Sequence, residues 1–174
     1  NEHFAMTMAA LDAGLHVLCE KPLALNATHA KTMYESAEAK GVRHMAYFTW
    51  RWLPHYRYIR DLITQGELGR IHYIQLNFIA GGRRKPHYSW RVDPQYTNGV
   101  IGDAGSHMFD LARYLVGDIA RVNARLVATV PRTGADGKPM TSACDAATAL
   151  FEFVNGSQGT IEVSTVARIH DPAF

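Results

Sequence analysis

The sequence predicts an α/β protein whose second part is α+β. The first observation is that residues 1–50 alternate between apolar repeats of helical spacing and short apolar runs typical of buried strands. The second is that the apolar repeat changes to a period of two after Gly69, which is the pattern of a sheet with one covered face. The chain of 174 residues is 47% hydrophobic and 20% charged, as in globular proteins. We therefore predict a first domain over residues 1–50 and a second over residues 51–174.

The first domain is predicted to run helix, strand, helix, strand. Its signals are a helical repeat ended by a glycine, an apolar run of the kind buried on both faces, a polar cap before a second helical repeat, and a second apolar run. In chain order these are His3–Ala13 with Gly14, residues 16–19, Asn26 or Thr28 as the cap, and Val42–Phe48. Strands that alternate with helices favour a parallel sheet.

The second domain is predicted to open with a helix at Pro54, and its strands alternate apolar and polar residues. The alternating stretches are residues 74–78, 122–130 and 147–153, with Asn155-Gly156 as a tight turn into residues 158–167. We expect an open, mainly antiparallel sheet, and we interpret Thr133–Thr141 as an exposed loop. Apolar side chains on both faces of the strands indicate that one face meets helices and the other a partner.

Composition argues against several classes of function. The net charge is only +2, and the tight basic cluster Arg83–Lys85 reads as a solvated loop, so nucleic-acid binding is not expected. Cys19 and Cys144 fit no metal spacing and are predicted to be buried free thiols, as in the reducing cytoplasm. No apolar run reaches the length of a membrane span, so no membrane partner is expected.

The segment from Gly102 to Asp110 carries the clearest chemical pattern. Asp103 and His107 are four residues apart, so a helix that starts here places them on one face, away from the apolar residues that follow. A carboxylate near a helix N-terminus and an imidazole one turn later can bind a substrate and take a proton near neutral pH. The ordinary alternative is a capped surface helix with an unremarkable histidine.

A second polar group follows the first predicted strand. Glu20 and Lys21 come at its carboxyl end, where open α/β sheets bind ligands, and Pro22 restricts the backbone there. A structural salt bridge would account for the two charges equally well.

Taken together, these segments resemble the Gfo/Idh/MocA family of NAD(P)-dependent oxidoreductases. The resemblance rests on four motifs in order: Ala13–Pro22, Gly66–Gly69, Asp103 with His107, and Asp145–Ala147 before the Asn155-Gly156 turn. It implies the C-terminal portion of a Rossmann domain, followed by an incomplete α/β domain whose open sheet forms a homo-oligomer interface. The resemblance also implies a fragment, since the family's glycine-rich fingerprint would precede Asn1 and further strands would follow Phe174.

The resemblance assigns roles to particular residues. It implies that Asn1, His3, Glu20 and Lys21 border the cofactor, which would be NAD or NADP in the full-length enzyme. It implies that Lys21 also contacts a substrate hydroxyl, and that Asp103 and His107 bind substrate, with His107 as the acid/base. No metal is expected at this site.

These roles predict hydride transfer at a CH–OH group of a sugar, cyclitol or related polyol. His107 would take the hydroxyl proton, Lys21 would stabilise the developing alkoxide, and Asp103 would fix hydroxyls. Side chains that could line the cleft are Arg51, Trp90 and Arg91. Three alternatives stay open: an NAD-dependent glycosidase or lyase of the same family, a metal-binding hydrolase that uses Asp103, His107 and a further histidine, and a non-catalytic sugar-binding protein.

Overall fold

The chain divides into two compact units, Asn1–Thr49 (unit 1) and Trp50–Phe174 (unit 2). The computed structural model describes residues 2–168. Within those residues, no helix is both long enough and apolar enough to cross a bilayer.

Unit 1 has the predicted order of two helices and two parallel strands. Its elements are α1 (His3–Asp12), β1 (Val17–Glu20), α2 (Ala27–Ala39) and β2 (His44–Tyr47). β1 pairs with β2 in parallel, with Val17 beside His44. The cap of α2 is Asn26, whose side-chain oxygen accepts the His29 N–H at 2.8 Å, so the structure selects Asn26 over Thr28.

The strand β1 is buried on one face only. Cys19 lines a small cavity with Leu11 and Met33 of the two helices, whereas Leu18 on the opposite face is 59% exposed. The prediction of a strand buried on both faces was therefore wrong for the described residues. Alternate residues of a strand point to opposite faces, and α1 and α2 supply buried partners on the Cys19 side.

Unit 2 confirms the open, mainly antiparallel sheet. Its elements are α3 (Pro54–Thr64), β3 (Tyr73–Ile79), α4 (Ser106–Leu115), β4 (Ile119–Val127), β5 (Arg132–Thr133), β6 (Pro139–Met140), β7 (Ala146–Phe153) and β8 (Gln158–Ser164). The main sheet has the order β3-β8-β7-β4, in which β7 is antiparallel to both neighbours and β3 is parallel to β8.

The core of unit 2 lies between α4 and the inner face of this sheet. It is formed by Met108 and Ala112 of α4 and by the alternate apolar residues of β7 and β8, including Phe151 and Phe153. Gly159 is required there, since a Cβ at this position would lie 2.5 Å from the Phe151 ring. The β7–β8 turn passes through Gly156 at φ 83°, as the Asn-Gly pair predicted.

Two local predictions in unit 2 were wrong. The stretch from Thr133 to Thr141 is not simply a loop, because Thr133 pairs with Pro139 in the short ribbon β5–β6. Cys144, which was predicted to be buried, is only partly buried and lies before β7. Its thiol donates to the Asn98 carbonyl at 3.3 Å. Cys19 and Cys144 are both free thiols, as predicted.

Candidate active site

In unit 1 the candidate residues meet at the turn that follows β1. The Glu20 carboxylate accepts the N–H of Lys21 at 3.0 Å, and the Lys21–Pro22 peptide bond is cis. The Nδ1–H of His3 donates to the Pro22 carbonyl at 2.9 Å. A carbonyl oxygen can only accept, so this contact assigns the proton to Nδ1 and leaves Nε2 of neutral His3 as an acceptor. Asn1 lies outside the described residues.

In unit 2 the Asp103 motif begins with a π-helical turn instead of a regular helix. Ile101–Gly105 forms this turn, and α4 starts only at Ser106, three residues later than Asp103. The turn is preceded by Gly99 at φ 69°, where a Cβ would lie 2.3 Å from the Cys144 carbonyl oxygen. A helical segment does begin near Asp103, as predicted, but its first turn is π-helical. Widened π-helical turns are often found at functional sites.

His107 lies in the interior of unit 2, contrary to the expectation that it faces away from the core. It is 7% exposed and its ring stacks on Trp50, with centroids 4.4 Å apart and planes 8° apart. The physical reason is that Trp50, which directly follows the first unit in sequence, covers this face of α4. The stacking fixes the plane of the imidazole, which a positioned proton acceptor requires.

Asp103 forms an ion pair with Arg83. The guanidinium Nη2 donates to Oδ2 at 2.6 Å, and the two side chains are 25% and 35% exposed. The interpretation of the Arg83–Lys85 cluster as a solvated loop was thus wrong for Arg83, because its side chain is 25% exposed and is paired with the candidate carboxylate.

Arg51 is bound by Asp110, which lies one helical turn beyond His107 on α4. Its guanidinium makes a two-pronged contact with the carboxylate of Asp110, which is 8% exposed, and its Nε donates at 3.0 Å. The guanidinium carbon also lies 5.2 Å from the centre of the Tyr114 ring. This contact gives Arg51 a structural role, and its predicted role with substrate stays a prediction.

Trp90 and Arg91 lie on a short 3₁₀ turn, Trp90–Val92, ahead of the π-helical turn. Arg91 covers its neighbour, with its guanidinium carbon 4.3 Å from the Trp90 ring centre. Nearby, the Tyr88 hydroxyl donates to the Asp93 carboxylate at 3.1 Å, and this hydrogen bond raises the pKa of the Tyr88 phenol above its ordinary value. The sugar-binding roles of Trp90 and Arg91 stay predictions.

Three residues that contact the candidates were not predicted as site residues: Asp110, Trp50 and Arg83. Asp110 follows His107 by three residues, so helical spacing alone places it on the same side of the helix. Trp50 comes just after the carboxyl end of a strand, where ligand-binding residues collect. Arg83 carries no local signal, because its contact with Asp103 depends on the folded chain. Among residues 2–168, no three His, Cys, Asp or Glu side chains gather in a metal-binding cluster.

Two family models together match nearly the whole chain. Residues 1–48 match the NAD-binding Rossmann fold of the oxidoreductase family, and residues 56–174 match the GFO/IDH/MocA C-terminal domain. The chain belongs to the GFO/IDH/MocA oxidoreductase family. The predicted resemblance and fold class are confirmed.

Members of the GFO/IDH/MocA family that are similar to this chain include sugar dehydrogenases. Levoglucosan dehydrogenase of Pseudarthrobacter phenanthrenivorans is 31% identical over 95% of this chain and 47% of its own length. D-glucoside 3-dehydrogenase of Escherichia coli is 32% identical over 99% of this chain and 51% of its own length. The chain therefore spans about half the length of these relatives.

Solved structures give the same result for the fold. A levoglucosan dehydrogenase in complex with NADH and levoglucosan has a TM-score of 0.91 and 31% identity, covering 98% of this chain and 47% of that one. An oxidoreductase domain protein from Kribbella flavida also gives 0.91 and 31%, covering 98% of this chain and 49% of its own.

Proposed function

We propose that the protein carrying this chain is an NAD(P)-dependent oxidoreductase that acts on a CH–OH group of a sugar, cyclitol or related polyol. Family membership supports this reaction class. The relatives named for levoglucosan, glucosides and scyllo-inositol support polyhydroxylated ring substrates. The choice between NAD and NADP and the identity of the sugar belong to the proposal's tests.

The observation that carries the proposal is the arrangement of acid/base and carboxylate groups in unit 2. His107 is fixed by its stacking on Trp50, and Asp103 is fixed by its ion pair with Arg83. Oxidation of an alcohol needs one group that takes the hydroxyl proton and others that hold the neighbouring hydroxyls. A held imidazole and a held carboxylate four residues apart supply both types of group.

The turn after β1 has a donor set that fits a nicotinamide ribose. Lys21 brings an ammonium group, and Nε2 of His3 can accept from a ribose hydroxyl because Nδ1–H is committed to Pro22. The position at the carboxyl end of a parallel strand is the usual place for a dinucleotide. When bound, the cofactor supplies the hydride acceptor.

The remaining steps fall to side chains of this chain. In the proposed reaction, neutral His107 removes the hydroxyl proton as the hydride leaves the same carbon. Lys21 donates a hydrogen bond to the oxygen on which negative charge develops, and Asp103 accepts hydrogen bonds from adjacent hydroxyls. In the reverse direction His107 returns the proton.

The test is steady-state kinetics of the full-length gene product with a panel of sugars and polyols and with NAD and NADP. Replacing His107 by Asn should lower kcat by roughly 10²- to 10⁴-fold, the range for loss of a positioned base, with little change in NADH affinity. His72→Asn is the matched control, because the His72 side chain is exposed. Wild-type turnover in His107→Asn would remove the assigned base. Release of an aglycone or an unsaturated product without net NADH formation would favour the glycosidase or lyase alternative.

A further inference from the structure

We propose that Arg132 is a positioning residue for the candidate site: it fixes the main chain of residues 83–85, and Arg83 in turn fixes the Asp103 carboxylate. This inference rests on the proposed function in one respect, since it takes Asp103 to be a substrate-binding residue.

Arg132 is an interior arginine that binds main-chain carbonyls. It is 4% exposed, its Nη1 donates to the Lys85 carbonyl at 2.9 Å, and its Nη2 donates to the Arg83 carbonyl at 2.8 Å. Within residues 2–168 its Nε has no hydrogen-bond acceptor. Burying a guanidinium is costly, and an apolar side chain of similar size would fill the same space at lower cost. What the arginine adds is a two-pronged hold on one short segment.

The same segment is tied from its other side to a buried carboxyl residue. The N–H of Arg83 donates to the Thr165 carbonyl at 2.9 Å, and the N–H of Thr165 donates to the Asp145 carbonyl at 3.0 Å. The carboxylate of Asp145, which is 3% exposed, accepts the N–H groups of Thr129 and Val130 at 2.9–3.0 Å. Asp145 therefore binds, through its carboxylate, the residues that precede the strand of Arg132. Through its carbonyl it binds Thr165, which in turn binds the N–H of Arg83.

This arrangement bears on how firmly Asp103 is held. The ion pair between Arg83 and Asp103 is partly exposed, and exposed ion pairs between flexible side chains contribute little on their own. Fixing both the N–H and the carbonyl of Arg83 removes main-chain freedom before the pair forms. The guanidinium then reaches Oδ2 of Asp103 from a preset position, as supporting residues do in precise binding sites.

The kinetic test compares Arg132→Met, Arg83→Gln and the double variant in the full-length gene product. Arg132→Met should lower kcat/KM for the sugar by roughly 10- to 100-fold, since small displacements at a reacting site cost rates of this size, and should leave the KM for NADH unchanged. In the double variant, Arg132→Met should add less than about two-fold to the effect of Arg83→Gln, because both act on one contact. Arg113→Met, which breaks an exposed ion pair with Asp118, is the matched control.

A second readout does not depend on turnover. The Arg83 guanidinium signals in the side-chain ¹⁵N NMR spectrum are assigned by their loss in Arg83→Gln. In the wild type, slow rotation of the guanidinium group should keep the two Nη signals separate. In Arg132→Met, faster rotation should average them. Arg132→Lys, which keeps the charge but not the two-pronged hold, should give the same averaging and serves if Arg132→Met does not fold.

The outcomes separate the two proposals. Absence of sugar oxidation by the wild type would remove the proposed function, while the NMR comparison would still decide the role of Arg132. An unchanged Arg83 signal in both Arg132 variants would overturn the inference. The inference would also be overturned if the effects of Arg132→Met and Arg83→Gln on kcat/KM multiplied in the double variant. A loss of NADH binding in Arg132→Met as large as its loss of kcat/KM for the sugar would have the same meaning. Either result would leave Arg132 as a general structural residue.

Discussion

The two units hold their candidate residues by different means. In unit 1 the contacts run through the main chain: Glu20 accepts the N–H of Lys21, and His3 donates to the carbonyl of Pro22. In unit 2 they run between side chains, as in the stacking of His107 on Trp50 and the ion pairs of Asp103 and Asp110. The contact of Glu20 with Lys21 joins sequence neighbours and can be recognised as a short motif. The other contacts, including that of His3 with Pro22, join residues 19 or more positions apart, so they become visible only in the fold.

The two sheets also differ in how fully their apolar side chains are buried. The sheet of unit 1 has two strands and exposes Leu18, whereas the four-stranded sheet of unit 2 buries an unbroken set of apolar residues under α4. We therefore expect the stability of unit 2 to depend on individual core side chains far more than that of unit 1 depends on its outer strand residues.

The largest expected effect comes from truncating this core. Phe153→Ala should lower the free energy of unfolding of unit 2 by about 3–5 kcal/mol, because Phe153 is 1% exposed and its removal leaves a cavity. Leu18→Ala should cost less than about 0.5 kcal/mol in unit 1, as for most surface positions. For each variant, hydrogen–deuterium exchange resolved by segment measures the stability of unit 1 and of unit 2 in one sample. Equal losses for the two variants would contradict the comparison.

A second prediction concerns the outer face of the unit 2 sheet, which we propose is covered by a second copy of the chain. Leu150, 55% exposed, lies on this face beside Thr160, which accepts or donates a hydrogen bond with the Tyr73 hydroxyl at 2.7 Å. Leu150→Lys should raise the dissociation constant of the oligomer by roughly ten-fold or more, because an ammonium group would be buried without a partner.

Light scattering coupled to size exclusion measures the assembly of the full-length gene product. Val154→Lys is the matched control, since Val154 is 72% exposed and lies at the end of β7 beside the turn. A monomeric wild type, or an oligomer that Leu150→Lys leaves intact, would contradict the predicted interface.

The order of helices and strands could be predicted because each element has its own periodicity and stop signal, as with Gly14 or the Asn155-Gly156 turn. Spacing also singled out Asp103 and His107, whose roles with substrate stay predictions. The π-helical turn at Asp103 could not be predicted, since neither the spacing of the apolar residues nor a local stop signal distinguishes it from a regular helical turn. Arg83 and Arg132 were missed for a related reason: Arg83 acts on a residue about 20 positions away, and Arg132 acts on residues nearly 50 positions away.

The smallest predicted effect tests how much unit 1 relies on contacts with its main chain. Asn26→Ala removes the side-chain acceptor for the His29 N–H and should lower the free energy of unfolding of unit 1 by about 1 kcal/mol, the usual cost of losing a helix cap. Thr28→Ala, two residues away on the exposed side of α2, should cost less than about 0.5 kcal/mol. Asn26→Asp should preserve stability, because its carboxylate can accept the same N–H and interacts favourably with the helix N-terminus. Exchange rates of the first amides of α2 measure all three. An Asn26→Ala variant that exchanges like the wild type would mean that packing against α1, instead of the cap, fixes the start of this helix.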